Sequence, residues 1–140
     1  MTILSKCLLE EAKAISQAAK KLNHLEVQKA IEILEKCGQR KNKLLVSGVG
    51  KSGIVARKIA ATFSSIGLVS VYLNPLDALH GDLGIVGTED VCILISNSGE
   101  TKELLEIIPH LKLRKSLLIA LVGNTNSSIA KNSDSVLEAT

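Results

Sequence analysis

The sequence predicts an α/β domain: a parallel, doubly wound five-stranded sheet with two helices at the N-terminus. Three observations point there. Hydrophobic residues make up 46% of the 140, with one Tyr, one Phe and no Trp, so the core is aliphatic. Five short β-rich runs are apolar without alternation, as in strands buried on both faces. Helical stretches separate those strands, the order that a parallel sheet with crossover helices requires.

The elements follow in chain order. Residues 3–22 carry Leu4, Leu8, Ile15, Ala18 and Leu22 on a broad apolar side, a helix pattern. A second helix is expected from about Leu25 to Lys36, with Gly38 placed to end it. Strands are expected at 43–48, 69–74, 90–96, 116–123 and 135–139, each bounded by turn residues. Between them, a helix starting at Lys51 leads to Gly67. Another, in "GETKELLEII", leads to Pro109, which is expected to kink or stop it. "SSIAKNS" has room for two turns at most. Nothing divides the chain, so residues 1–140 read as one domain with a helical arm.

A formal charge of +3 and the near absence of aromatics argue against nucleic-acid binding. The basic run "KCGQRKNK" (36–43) reads as a solvated helix-to-strand loop. Cys7, Cys37 and Cys92 are far apart and lack His neighbours at ligand spacing. They read as reduced thiols of a cytoplasmic protein, with Cys92 buried in a strand and no metal site. Lys6, Glu10 and Glu11 interrupt the apolar N-terminus, so neither a signal peptide nor a membrane span is expected.

In such sheets ligands bind outside the carboxyl ends of the strands, where the strand order reverses. "SGVGKSG" (47–53) follows the first strand. It ends like a Walker A loop, but the first glycine of that motif would fall on Leu45, inside the strand. Gly48, Gly50 and Gly53 match G-x-G-x-x-G, yet the acid that would hold a ribose is missing: the second strand ends in Asn74-Pro75, with Asp77 beyond. A match without that partner is weak evidence for a dinucleotide. "SNSGET" (96–101) follows the third strand and sets Ser96, Ser98 and Thr101 around a glycine at a helix start. Ser98 as a simple N-cap accounts for one hydroxyl. A phosphate accounts for all three, together with the free N–H groups of the helix.

With these residues in view the sequence resembles the sugar isomerase (SIS) domain, a phosphosugar-binding family with a flavodoxin-like sheet. "GVGKSG", "ATFSSIG", "ALHGDLG" and "ISNSGETKE" together are similar to its D-arabinose-5-phosphate isomerase branch. The resemblance implies a five-stranded parallel sheet and a homotetramer; the apolar surface of residues 3–34 by itself predicts a dimer or tetramer. The resemblance also implies a pentose 5-phosphate substrate, with D-arabinose 5-phosphate and D-ribulose 5-phosphate interconverted through an enediolate. That reaction needs no cofactor.

Lys51, at the helix start in the glycine turn, suits an oxyanion or a phosphate, and the family places a functional lysine here. Glu103 is open on spacing alone between helix-terminal charge and catalysis; the family has a catalytic glutamate at this position. His80 lies in "DALHGDLG", a segment begun by Asn74 and Pro75 as N-cap and first helical residue. It is expected to contact substrate hydroxyls or open the ring, while His24 and His110 are expected to be structural. Ser47, Gly48, Gly50 and Ser52 join Ser96, Ser98 and Thr101 as expected substrate or phosphate contacts.

The chain stops at Thr140, where the family continues with an acidic Cys-containing segment, further helices and a His-Pro-Gly-Gly-like stretch. Full-length members often append paired CBS domains. A truncated SIS domain without CBS domains is therefore the expectation. The rival functions are a non-catalytic sugar-phosphate sensor and a 6-phospho-3-hexuloisomerase.

Overall fold

The computed structural model describes residues 1–139. Five parallel strands form one sheet in the order β2-β1-β3-β4-β5: β1 (Leu44–Ser47), β2 (Ser70–Leu73), β3 (Val91–Ser96), β4 (Leu117–Val122) and β5 (Ser135–Glu138). This is the doubly wound arrangement the apolar runs predict. Every residue of β1 and β3 is buried, because both faces of the central strands are covered.

Two cores result. On one face, α2 (His24–Gln39) and α3 (Lys51–Ser65) pack through Ala30, Cys37, Ala56 and Ala60 onto Leu44, Val46, Val91, Ile93 and Ile119. On the other, α4 (Pro75–Ala78), α5 (Lys102–Leu113) and α6 (Ser128–Lys131) cover Leu45, Cys92, Leu94, Leu118 and Ala120. A 3-10 turn at Asp82–Ile85 follows α4.

The winding changes direction at β1. Its crossover to β2 runs through α3 on one face, while the return to β3 on its other side runs through α4. The carboxyl ends of β1 and β3 therefore flank the switch point. Ser47 pairs in register with Leu94, so β3 reaches two residues further and lifts Ser96 above the end of β1. At the opposite end of the sheet the Asp90 carboxylate accepts from the N–H groups of Lys43 and Gly87 and pairs with the Lys43 ammonium, joining the starts of β1 and β3.

The first helix, α1 (Ile3–Lys21), is an arm: none of its residues is buried. No helix among the described residues is long and apolar enough to cross a membrane.

Three local expectations need correction. Gly38 does not end the second helix, which runs on to Gln39. Burying Cys37 draws the helix past the glycine, and the left-handed residue that turns the chain is Lys41 (φ +57°). For the same reason "KCGQRKNK" is not wholly a solvated loop: its first half is helix, and Lys43 is tied to Asp90. Nor does Pro109 stop α5, which continues to Leu113. A proline inside a helix costs about 3 kcal/mol. Burial of Leu104, Ile107, Ile108 and Leu111 contributes about 1.5–3 kcal/mol per side chain, so packing on both sides of Pro109 wins.

Candidate functional site

The glycine turn after β1 is built by close approach. A Cβ on Gly48 would stand 2.8 Å from the backbone of Ser52, and one on Gly53 would stand 2.9 Å from the Gly48 carbonyl oxygen. Glycine at both positions lets the first turn of α3 settle onto the end of β1. Gly50 precedes the helix at φ +62°, and no side chain caps it. The amino end of α3 thus faces outward with its donors free of side-chain caps, and exposed Lys51 is its first residue. Ser52 is half-buried beside it. The Ser47 hydroxyl is turned the other way, donating to the Leu73 carbonyl at 2.6 Å within the sheet.

The loop after β3 has a different construction. The buried Ser96 hydroxyl accepts from the Gly99 N–H at 2.9 Å and lies 2.6 Å from the Thr101 hydroxyl. That pair uses one of its two O–H hydrogens internally and retains the other. Exposed Ser98 accepts from the Glu100 N–H at 3.0 Å and keeps its own O–H to donate. Ser98 is not the N-cap of α5, as the simpler reading had it. Thr101 is, and its side chain makes no capping bond because it is engaged with Ser96. Hydroxyl donors and an uncapped helix end together suit a single anion. Glu103 is half-buried in the first turn of α5.

His80 lies just past α4, whose cap is the predicted one: Asn74 Oδ1 accepts from the Leu76 N–H at 3.0 Å and Pro75 opens the helix. The imidazole is exposed, and Gly81 turns the chain after it at φ +126°. The side chain of Asp82, two residues on from His80, lies outside the described residues. His24 and His110 sit exposed on α2 and α5.

Sequence reasoning missed what holds the second loop. A Cβ on Gly99 (φ +71°) would overlap Ser127, and one on Gly123 would overlap Asn97. The Gly99 carbonyl accepts from the Ile129 N–H at 3.0 Å, and the Asn97 carbonyl accepts from the Gly123 N–H at 2.9 Å. Glu100 accepts from the Ser128 N–H at 2.9 Å; bonds from the Ser128 hydroxyl and N–H hold its carboxyl below the ordinary value. The start of α6 is thus a clamp on the loop after β3. The "GNTNSS" turn was the available signal, but its partner is a tertiary one.

No group of three or more His, Cys, Asp or Glu side chains among the described residues could hold a metal ion. A cavity of about 360 Å³ opens beside the end of β5, bordered by Lys21, Asn23, Thr125 and Glu138, and touches none of the expected site residues.

The comparisons with known proteins agree with this fold. Arabinose 5-phosphate isomerase KpsF of Escherichia coli O6:H1 is 41% identical over 138 residues, covering 99% of this chain and 41% of that protein. Arabinose 5-phosphate isomerase KdsD of Yersinia pestis is 40% identical over 124 residues, 89% of this chain and 37% of that protein. The chain therefore spans about two fifths of the length of these relatives. Among solved structures, an E. coli CFT073 protein in complex with arabinose 5-phosphate superposes with a TM-score of 0.83 at 39% identity, covering 99% of this chain and 74% of that one. Residues 39–140, from the end of α2 through both loops to the last strand, match the SIS domain model. The switch-point loops, the strand order and these matches agree, and the chain belongs to the SIS domain family.

Proposed function

We propose that this domain binds a pentose 5-phosphate and serves an aldose–ketose isomerase acting between D-arabinose 5-phosphate and D-ribulose 5-phosphate. One observation carries the reading: β1 and β3 are neighbours, so the uncapped helix starts bearing Lys51 and Glu103 open onto the same rim, with the Ser96–Thr101 hydroxyl pair at its base. The phosphate takes the loop after β3, held by Ser98, the Ser96–Thr101 pair and the N–H groups of α5. The sugar extends toward the glycine turn, where Gly48, Gly50 and Ser52 line its path.

Isomerisation removes the proton on C2 of the aldose, forms an enediolate and returns a proton to C1, while a hydroxyl proton moves from O2 to O1. Glu103 is the base in this reading, Lys51 stabilises the negative charge that develops on oxygen, and His80 contacts the sugar hydroxyls or opens the ring. Ser47, bonded inside the sheet, holds the turn rather than the ligand. The relatives' names and the arabinose 5-phosphate complex support the substrate class. The apolar residues Leu4, Leu8 and Ile15, exposed along α1, support assembly into a homo-oligomer.

Thermal melting tests the binding half. D-arabinose 5-phosphate raises the Tm, NAD and ATP leave it unchanged, and Ser98→Ala diminishes the shift. Stabilisation by NAD and none by the sugar phosphate would return the glycine turn to a dinucleotide. In an assay of D-ribulose 5-phosphate formation, Glu103→Gln and His80→Ala depress turnover more than binding. Binding with no turnover in any form of the protein favours the sensor.

A further inference from the structure

Tyr72 is the chain's one tyrosine and stands in edge strand β2, half-buried on the α3 face. Its phenolic O–H donates to the Gly48 carbonyl at 3.0 Å. The Arg57 guanidinium from α3 lies over its ring, 4.7 Å from the centroid. The next residue, Leu73, accepts the Ser47 hydroxyl. Ser47 and Leu73 are the last pair in the β1–β2 register, so the Tyr72 bond continues the join beyond the point where the strand ladder stops.

We infer that Tyr72 is a positioning residue for the glycine turn: its hydroxyl fixes the Gly48–Val49 peptide so that the Val49 N–H faces the ligand. A trans peptide is planar, with C=O and N–H on opposite sides. A carbonyl tied to the Tyr72 hydroxyl therefore sends the Val49 N–H to the opposite side of the turn, away from Tyr72. The segment needs such a tether, since Gly48 and Gly50 give this backbone more freedom than any other residue would. Gly53 leaves the space: a Cβ there would stand 3.1 Å from the phenolic oxygen. The inference rests on the pentose-phosphate reading and adds to it a residue outside the ligand's reach that sets one of its donors.

The test compares the full chain with Tyr72→Phe, which keeps the ring and the Arg57 stacking and removes one hydroxyl. Ser64→Ala is the control, removing a hydroxyl bonded to the Ser70 carbonyl and N–H at the far end of β2. D-arabinose 5-phosphate binding is read by calorimetry and the backbone amides by ¹⁵N spectra. Tyr72→Phe is expected to weaken binding about three- to tenfold, the worth of one hydrogen bond. The ligand-free Val49 and Gly50 resonances should move with it. Ser64→Ala is expected to lower the Tm and leave the affinity alone. Equal affinity for Tyr72→Phe and the wild type would overturn the role of Tyr72. Equal weakening in both variants would do the same, because general loosening of β2 would then explain the loss. Absence of binding by the wild-type chain would overturn the pentose-phosphate reading, and this inference with it.

Discussion

Gly99→Ala is a sharp test of the clamp between the loop after β3 and α6. Two separate costs are expected. The residue sits at φ +71°, where an L side chain costs about 1–2 kcal/mol. The new Cβ also overlaps Oγ and Cβ of Ser127, an overpacking worth typically about 1–3 kcal/mol. Together these give about 2–5 kcal/mol, a large share of the roughly 5–15 kcal/mol that holds an ordinary domain. A double-mutant cycle separates them. Ser127→Gly removes both overlapping atoms and the Ser127 bond to the Ala130 N–H, which costs little because glycine is itself a fair N-cap. In that background Gly99→Ala retains only the backbone penalty. Urea unfolding of the four proteins should therefore show a coupling of about 1–3 kcal/mol, the overpacking share. The same cost for Gly99→Ala with and without Ser127 would mean that the loop does not rest on α6, and the described packing of the site would be wrong.

Three further outcomes are expected. Glu100 has a folded-state pKa below its unfolded value, so its contribution is present above pH 4.5 and is lost as the pH falls through the lowered folded value. Stability measured by urea unfolding should accordingly fall along that acid limb, and Glu100→Gln should flatten it. Cys7 is exposed, while Cys37 and Cys92 are buried and burial pushes the Cys92 thiol up to about 12. An aromatic disulfide reagent should therefore label one thiol per native chain and three after denaturation. Leu8→Asp places a charge amid the apolar face of α1, and light scattering should show a smaller species than the wild type at equal concentration; an unchanged mass would remove α1 from the interface.

How much was legible depended on where the determining contacts lie. The strands could be read because the unbroken apolar run in "DVCILIS" suits little but a strand covered on both faces. The two loops could be read because glycines and hydroxyls stood at strand ends. Gly38 and Pro109 misled for one shared reason: local breaking tendencies lost to burial of Cys37 and Leu111, and neither burial can be seen in a sequence window. The competing reading of Ser98 as a simple N-cap falls because Thr101 holds the cap position, three residues on, with its hydroxyl paired to Ser96. The α6 clamp was invisible for a plainer reason. Glu100 meets Ser128 across 28 positions, and nothing in either residue announces the other.

The arm has a kinetic consequence. A helix of 19 residues extends about 28 Å, and α1 buries none of them against its own domain. Isolated helices of that length are only marginally stable in water, so the amide hydrogens of α1 lack the shelter that the sheet gives β1 and β3. Their exchange with deuterium is then governed by whatever surface α1 meets from outside the chain. On the proposed assembly through α1, they should exchange within seconds in dilute solution and far more slowly in concentrated solution, while the strand amides keep one rate at both concentrations. The first 21 residues would act as a built-in gauge of how crowded the protein is with copies of itself.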